Sequence, residues 1–383
     1  MTQKNTKTIP AGYKQTEIGV IPVDWDVKKL DDIFNISAGR DFVKSDYSEI
    51  QDEGHKYPIY SNSLENKGLY GYTKIARHKK DCITITARGT IGHSNKRYTN
   101  FDAIGRLLIL DPKAKLDGFF ISEYLNNKVT FSIESTGVPQ LTAPQASKYL
   151  IAFPDANEQA AIATVLSNTD TLIEKLEKLI TKKKALRQGT AQQLLTEKKH
   201  LPGFSGKWEL KKLGELLEYE QPTNYIVKNT EYSEKNNIPV LTAGKSFILG
   251  YTDENFGIFK KLPVIIFDDF TTAAQFVNFS FKVKSSAMKI LKPRREDVNL
   301  RFVYEKMKLI DFKLGDHKRY WISEYQNIEI KIPKSEEQTA IATVLFDMNN
   351  EIEKLENKLN KYRQIKIGMM QQLLTGKIRL NKD

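Results

Sequence analysis

One stretch of this chain occurs twice. Glu158-Gln159-Ala160-Ala161-Ile162-Ala163-Thr164-Val165-Leu166 returns as Glu337-Gln338-Thr339-Ala340-Ile341-Ala342-Thr343-Val344-Leu345. Ile173-Glu174-Lys175-Leu176-Glu177 returns as Ile352-Glu353-Lys354-Leu355-Glu356, and Gln192-Gln193-Leu194-Leu195-Thr196 as Gln371-Gln372-Leu373-Leu374-Thr375. A single offset fits all three pairs without a gap. The segment is duplicated, so any fold for the chain must accommodate two copies of it.

Both copies read as long helices. In the second, Ile341, Leu345, Met348, Ile352, Leu355, Leu359 and Tyr362 alternate steps of four and three, which is a heptad seam. The first copy places Ile162, Leu166, Thr169, Ile173, Leu176, Ile180 and Lys183 in the same register. Each follows a proline, Pro154 or Pro333, and Asp155 with Glu158, or Ser335 with Gln338, suits a capping box. Pro202-Gly203 and Gly376 mark the far ends. About 40 residues of helix make a rod of roughly 60 Å. Asn168 to Asp170 and Asn349-Asn350 are weak helix formers where a bend is expected. Such helices could dimerise two chains, but two copies in one chain favour pairing within it.

The regions before the helices are related too. Trp25-Asp26-Val27-Lys28-Lys29-Leu30 matches Trp208-Glu209-Leu210-Lys211-Lys212-Leu213, and Gly68 to Thr73 matches Phe247 to Thr252. The pattern is globule, helix, globule, helix. Strands are expected at Cys82 to Thr86, Leu107 to Leu110, Val264 to Phe267 and Ser286 to Leu291. Short helices are expected at Phe119 to Asn126 and Leu300 to Leu309, so each globule reads as a mixed α/β domain, in an α+β chain.

Charge and absent chemistry narrow the function. The 383 residues carry a formal net charge of +12, which favours an anionic partner such as nucleic acid. Cys82 is the only cysteine, which excludes an internal disulfide and suits a reducing cytosol. His55, His78, His93, His200 and His317 are scattered without ligand spacing, so no metal site is expected. Met1 to Pro10 lacks an apolar segment, so no signal peptide is expected, and no apolar run is long enough to span a bilayer. There is no Asn-Pro-Pro-aromatic methyltransferase motif and no Gly-x-Gly-x-x-Gly loop. Gly244-Lys245-Ser246 imitates the end of a phosphate loop, but Pro239 stands where its first glycine should be. Glu197 and Lys199 lie at a helix end within the duplicated scaffold and are read as structural, not as part of a nuclease. No serine, cysteine or histidine constellation suggests covalent catalysis. The runs Lys182-Lys183-Lys184 and Lys198-Lys199 read as a solvated helix face.

Taken in order, Ile21-Pro22 before Trp25 to Leu30, then Thr86-Ala87-Arg88-Gly89-Thr90-Ile91-Gly92, then Pro154 leading to Glu158-Gln159 and Ile162, then Gln192 to Thr196, resemble the specificity subunit of a type I restriction–modification system. The resemblance spans nearly the whole chain, twice over. It implies a target-recognition domain at 1–154, a conserved central helix at 155–200, a second target-recognition domain at 201–333 and a C-terminal helix at 334–383. The two helices would pair as an antiparallel coiled coil through Ile162, Leu166, Ile173, Leu176, Ile180, Ile341, Leu345, Met348, Ile352, Leu355 and Leu359. It further implies a cytoplasmic, non-catalytic subunit that binds double-stranded DNA at a bipartite site. Two adenine methyltransferase subunits using S-adenosylmethionine would dock on it, with restriction subunits using ATP and magnesium; no cofactor is expected in this chain. Phe267-Asp268-Asp269-Phe270-Thr271-Thr272 departs from the Thr86 to Gly92 pattern, so the two halves should read different sequences.

Base readout needs polar side chains on loops held by a rigid scaffold. In the first half the candidates are Ser61, Asn62, Arg88, Gly89, Thr90, Ser135, Thr136 and Gln140. In the second they are Thr242, Lys245, Asp268, Asp269, Thr271, Thr272, Gln275, Lys318, Arg319 and Tyr320. Two other readings stay open: the specificity subunit of a type IIB-like system, and a coiled-coil scaffold whose globules bind protein.

Overall fold

The structure is a computed structural model that describes residues 9–132, 139–242, 246–315 and 319–380. Both long helices form, as Ala156–Leu194 and Ser335–Leu373, each of 39 residues and unbroken. Two of the weak formers inside them, Asp170 and Asn349, are held through their side chains. The Asp170 carboxylate accepts from Lys366 Nζ at 2.9 Å, and Asn349 Oδ1 accepts from Arg187 Nε at 3.1 Å. The helix starts differ from the expected capping boxes. Asp155 Oδ1 does cap the backbone N–H groups of Asn157 and Glu158, at 2.8 and 3.0 Å. The Glu158 side chain turns instead to Arg379 and Trp25, and Gln338 turns to the loop before its helix. Tertiary partners prevail over the local motif.

The chain condenses into two compact units. The first comprises Met1–Glu177 with Lys358–Asp383, and the second is Lys178–Asn357. Each unit therefore holds one globule, the near half of one long helix and the far half of the other.

In the first unit an antiparallel four-stranded sheet runs in the order Phe34–Ala38, Leu107–Pro112, Ile83–Thr86, Ser94–Lys96. A second sheet orders Asp102–Ala103, Tyr57–Tyr60, Leu69–Thr73 and Tyr47–Ser48, with the first pair parallel. A ribbon of Asp26–Lys29 with Leu150–Phe153 leads into the long helix. The second unit repeats this plan. Its main sheet is Leu217–Glu220, Met288–Pro293, Val264–Asp268, Ala274–Val277. Its second sheet is Ile248–Thr252, Ile238–Leu241, Lys282–Val283, again with one parallel pair, and its ribbon joins Glu209–Lys212 to Glu329–Ile332.

Each core explains why the duplicated motif is kept. In the first unit Trp25, Leu30, Phe120, Ile121 and Ile151 pack with Ile162 and Leu166 of one helix and Leu373 and Leu374 of the other. In the second, Trp208, Leu213, Phe302, Val303 and Ile330 pack with Ile341 and Leu345, and with Leu194 and Leu195. Each such side chain contributes about 1.5–3 kcal/mol by leaving water. The first heptad of each helix thus belongs to a globular core as well as to the seam. Further along, Leu176, Ile180, Ile352 and Leu359 are buried, while Ile173, Met348 and Leu355 are partly buried.

The helix halves run antiparallel inside each unit. Asp170 meets Lys366 and Glu177 meets Arg363 in the first; Lys183 meets Glu351 and Arg187 meets Asn349 in the second. Lys183 and Lys184, expected on a solvated face, pair with Glu351 and Glu356 at 2.7 and 2.6 Å. Such half-exposed pairs contribute at most about 1 kcal/mol each. The apolar seam therefore carries the pairing, and the charges set its register.

Candidate nucleic-acid interface

In the first unit, three loops meet at one end of the main sheet. Strand Ile83–Thr86 runs out into Arg88-Gly89-Thr90, strand Phe34–Ala38 into Gly39-Arg40, and Gly105-Arg106 precedes Leu107–Pro112. Backbone bonds lock them edge to edge: Ala87 N to Arg106 O at 2.9 Å, Gly39 N to Leu107 O at 2.9 Å, and Arg40 N to Ala103 O at 3.0 Å. Only glycine fits at position 39, where a Cβ would lie 2.2 Å from the Ile104 carbonyl oxygen. The result is a row of three exposed arginines, Arg40, Arg88 and Arg106. Among the described residues no carboxylate lies within ion-pair distance of any of them.

Side chains from two further loops join this row. Asn62 Nδ2 donates to the Arg88 carbonyl at 2.9 Å. Gln140 Oε1 accepts from Arg88 Nε and Nη2 at 3.1 and 2.8 Å, which aims the guanidinium without neutralising it. Arg97 supports the arrangement from beneath. Its guanidinium is buried 3.6 Å from the Tyr60 ring centroid, donates to Thr84 Oγ1 at 2.9 and 2.7 Å, and donates to the Lys67 carbonyl at 2.8 Å. Burial pushes its pKa down to about 10. That last bond holds the turn at Asn66 and Lys67, both with positive φ, beside Ser61 and Asn62.

The expected residues divide accordingly. Asn62, Arg88, Gly89, Thr90 and Gln140 come together at the surface. Ser61 does not face outward; it is buried, and its hydroxyl donates to the Gly68 carbonyl to shape the turn. Ser135 and Thr136 lie outside the described residues. Sequence motifs do not single out Arg40 and Arg106, because only the sheet topology brings them to Arg88.

The second unit builds the equivalent sheet end from different chemistry. Asp269 takes the place of Ala87: its N–H donates to Ala287 O, and its carbonyl accepts from Tyr320 N, as Ala87 does with Arg106 and Leu141. Thr271 and Arg319 are exposed, and Thr272 is half-buried with φ +58°. Three expectations are corrected here. Asp268 is buried and accepts from Phe270 N and Thr271 Oγ1 at 2.9 and 2.6 Å, so it organises the turn. Asp269 is buried against Lys289 at 3.4 Å, because a carboxylate on this inward position needs a cation. Tyr320 is buried, with its hydroxyl accepting from Gly315 N. Gln275 is exposed, but within strand Ala274–Val277 and not on the loop. Thr242 N bonds Phe247 O at 3.0 Å, and Lys245 and Lys318 lie outside the described residues. Glu197 is structural, accepting from Trp208 N and pairing with Lys331.

A sequence model of the type I restriction modification DNA specificity domain matches residues 22–185 and again residues 205–362. The chain belongs to this family. The specificity subunit of the Escherichia coli type I restriction enzyme EcoR124I/EcoR124II is 51% identical over 140 residues, 35% of this chain. That match covers 34% of the E. coli protein's own length. The putative MjaX specificity subunit of Methanocaldococcus jannaschii is 25% identical across 96% of this chain and 97% of that protein. Among solved structures, the type I system S subunit from M. genitalium shares the fold, with a TM-score of 0.67 over 94% of this chain and 97% of that one, at 18% identity. As a specificity-family chain, this protein carries its two domain matches on the two globules and their helices. Among its described residues no cluster could hold a metal ion, and no helix is long and apolar enough to cross a membrane.

Proposed function

We propose that this chain recognises a bipartite DNA site, one half per unit, and delivers it to separate catalytic subunits of a type I restriction–modification complex. The observation that carries the reading is the row Arg40, Arg88 and Arg106: three exposed arginines at one end of the main sheet, with no carboxylate partner among the described residues. An arginine fork suits guanine O6 and N7 or a phosphate. Uncompensated charges at one edge are costly to gather unless an anion meets them. Adenine methylation belongs to two methyltransferase subunits carrying S-adenosylmethionine, and ATP- and magnesium-dependent cleavage to restriction subunits. The assembly works in the cytoplasm.

The test uses the chain assembled with its methyltransferase partner. Selection from a random library should yield two separated half-sites. The triple variant R40A/R88A/R106A should lose selectivity at one half-site only. For each phosphate that the variant no longer neutralises, the slope of log affinity against log salt should fall by roughly 0.9. Equal relaxation of both half-sites, or unchanged binding, refutes the proposal. So would methylation by this chain alone with S-adenosylmethionine.

A further inference from the structure

The turn after strand Val264–Asp268 carries a side chain that polar readout does not account for. Phe270 stands 40% exposed at its apex. The residues on either side leave it no inward alternative. Asp268 Oδ1 accepts from the Phe270 and Thr271 N–H groups at 2.9 and 3.4 Å, and Asp268 Oδ2 from the Thr271 hydroxyl. Thr272 N donates to Asp268 O at 2.9 Å with Thr272 in the left-handed region. Asp269 fills the inward position. Its carboxylate accepts from Trp321 N at 3.0 Å and lies 3.4 Å from Lys289 Nζ, with both side chains fully buried.

An ordinary surface turn needs none of this. A buried ion pair seldom adds net stability, but breaking one is costly, so it fixes a conformation. A strained non-glycine φ persists only where its surroundings over-determine it. The conformation fixed here is the one that displays Phe270. By the backbone bonds of the residue before it, Phe270 occupies the place that Arg88 holds in the first unit.

We infer that Phe270 is a specificity-determining contact that reads a thymine methyl group in the half-site of the second unit. The inference rests on the DNA-recognition reading above. A phenyl ring cannot use the donors and acceptors of a base edge. The one apolar group a base pair offers in the major groove is the C5 methyl of thymine. Thr271 and Arg319, exposed near it, supply hydrogen bonds to the neighbouring edges.

The experiment uses the full chain with its methyltransferase partner and the selected DNA site. Each thymine of the second half-site is replaced in turn by deoxyuridine, which lacks only the methyl. The wild-type complex should lose affinity about fourfold at one position, the factor for removing one methyl from an apolar contact. F270A should lose that sensitivity and keep its response at the first half-site, and F270L should retain part of it. The inference is overturned if no thymine is sensitive, or if F270A keeps the wild-type sensitivity. If the assembled complex selects no sequence at all, the DNA-recognition reading falls and this inference with it. If R88A relaxes the first half-site while deoxyuridine has no effect at the second, only the present inference falls.

Discussion

Lys306 illustrates how a single half-buried group ties the second unit to pH. Its ammonium donates to the Leu195 carbonyl at 2.7 Å and lies 5.5 Å from the Trp208 ring. Burial pushes its pKa down to about 8, against roughly 10.4 for a lysine in the unfolded chain. Below pH 8 both states are charged and the folded state bears the full cost. Between about 8 and 10.4 the unfolded chain binds the extra proton, so this group's contribution to stability rises with pH. Urea midpoints measured across that window should climb more in the wild type than in K306M. Equal climbs would show that the lysine is solvated. None of this is legible in the sequence, where Lys306 is one lysine among many. Asp269 misleads for the same reason. An aspartate in a reading loop suggests a base contact until the neighbouring strand supplies Lys289. Arg88 is legible because its loop carries a motif; Arg40 and Arg106 carry none, and strand order alone makes them its neighbours.

At the scale of elements, the repeated Glu-Gln pair shows what duplication preserved. Gln159 Nε2 donates to Pro154 O at 2.9 Å, and its Oε1 accepts from Asp117 N at 3.0 Å. Gln338 does the same between Pro333 O and Asn299 N, each at 2.9 Å. The amide ties the entry loop of a long helix to the N-terminus of a short one, Gly118–Lys128 or Leu300–Met307. Leucine has similar bulk but leaves both backbone groups unpaired, at about 1–3 kcal/mol each. Q159L should speed amide exchange in the first unit, and Q338L in the second. An unchanged exchange pattern would mean that water replaces the amide at no cost. Helices and main strands are legible because apolar periodicity is local. The bridging role of the glutamines is not, since one partner of each lies some 40 residues away.

At the scale of the whole molecule, both long helices contribute to both units. Removing matched heptads, Leu176 to Lys182 and Leu355 to Lys361, shortens each helix by roughly 10 Å and preserves the seam. The expected outcome is a preferred spacer shorter by about three base pairs, with unchanged half-site sequences. Selection from a library of spacer lengths measures it. An unchanged spacer in a folded, DNA-binding variant would show that helix length does not set it.

The division of the helices also gives the chain an order of completion. The second unit is one uninterrupted stretch, Lys178–Asn357, whereas the first is finished only when Lys358–Asp383 joins it. Arg379 must reach back to Asp24 and Glu158, and Leu373 and Leu374 must enter the core around Trp25. On the ribosome, the unit begun first is therefore completed last, and its nascent core waits through the synthesis of its sibling. A nonsense mutation just past Asn357 should leave the later-encoded unit protease-resistant and the earlier-encoded one digestible. Limited proteolysis of such a truncated product decides this, and equal resistance of both halves would mean that the C-terminal segment is dispensable to the core it enters.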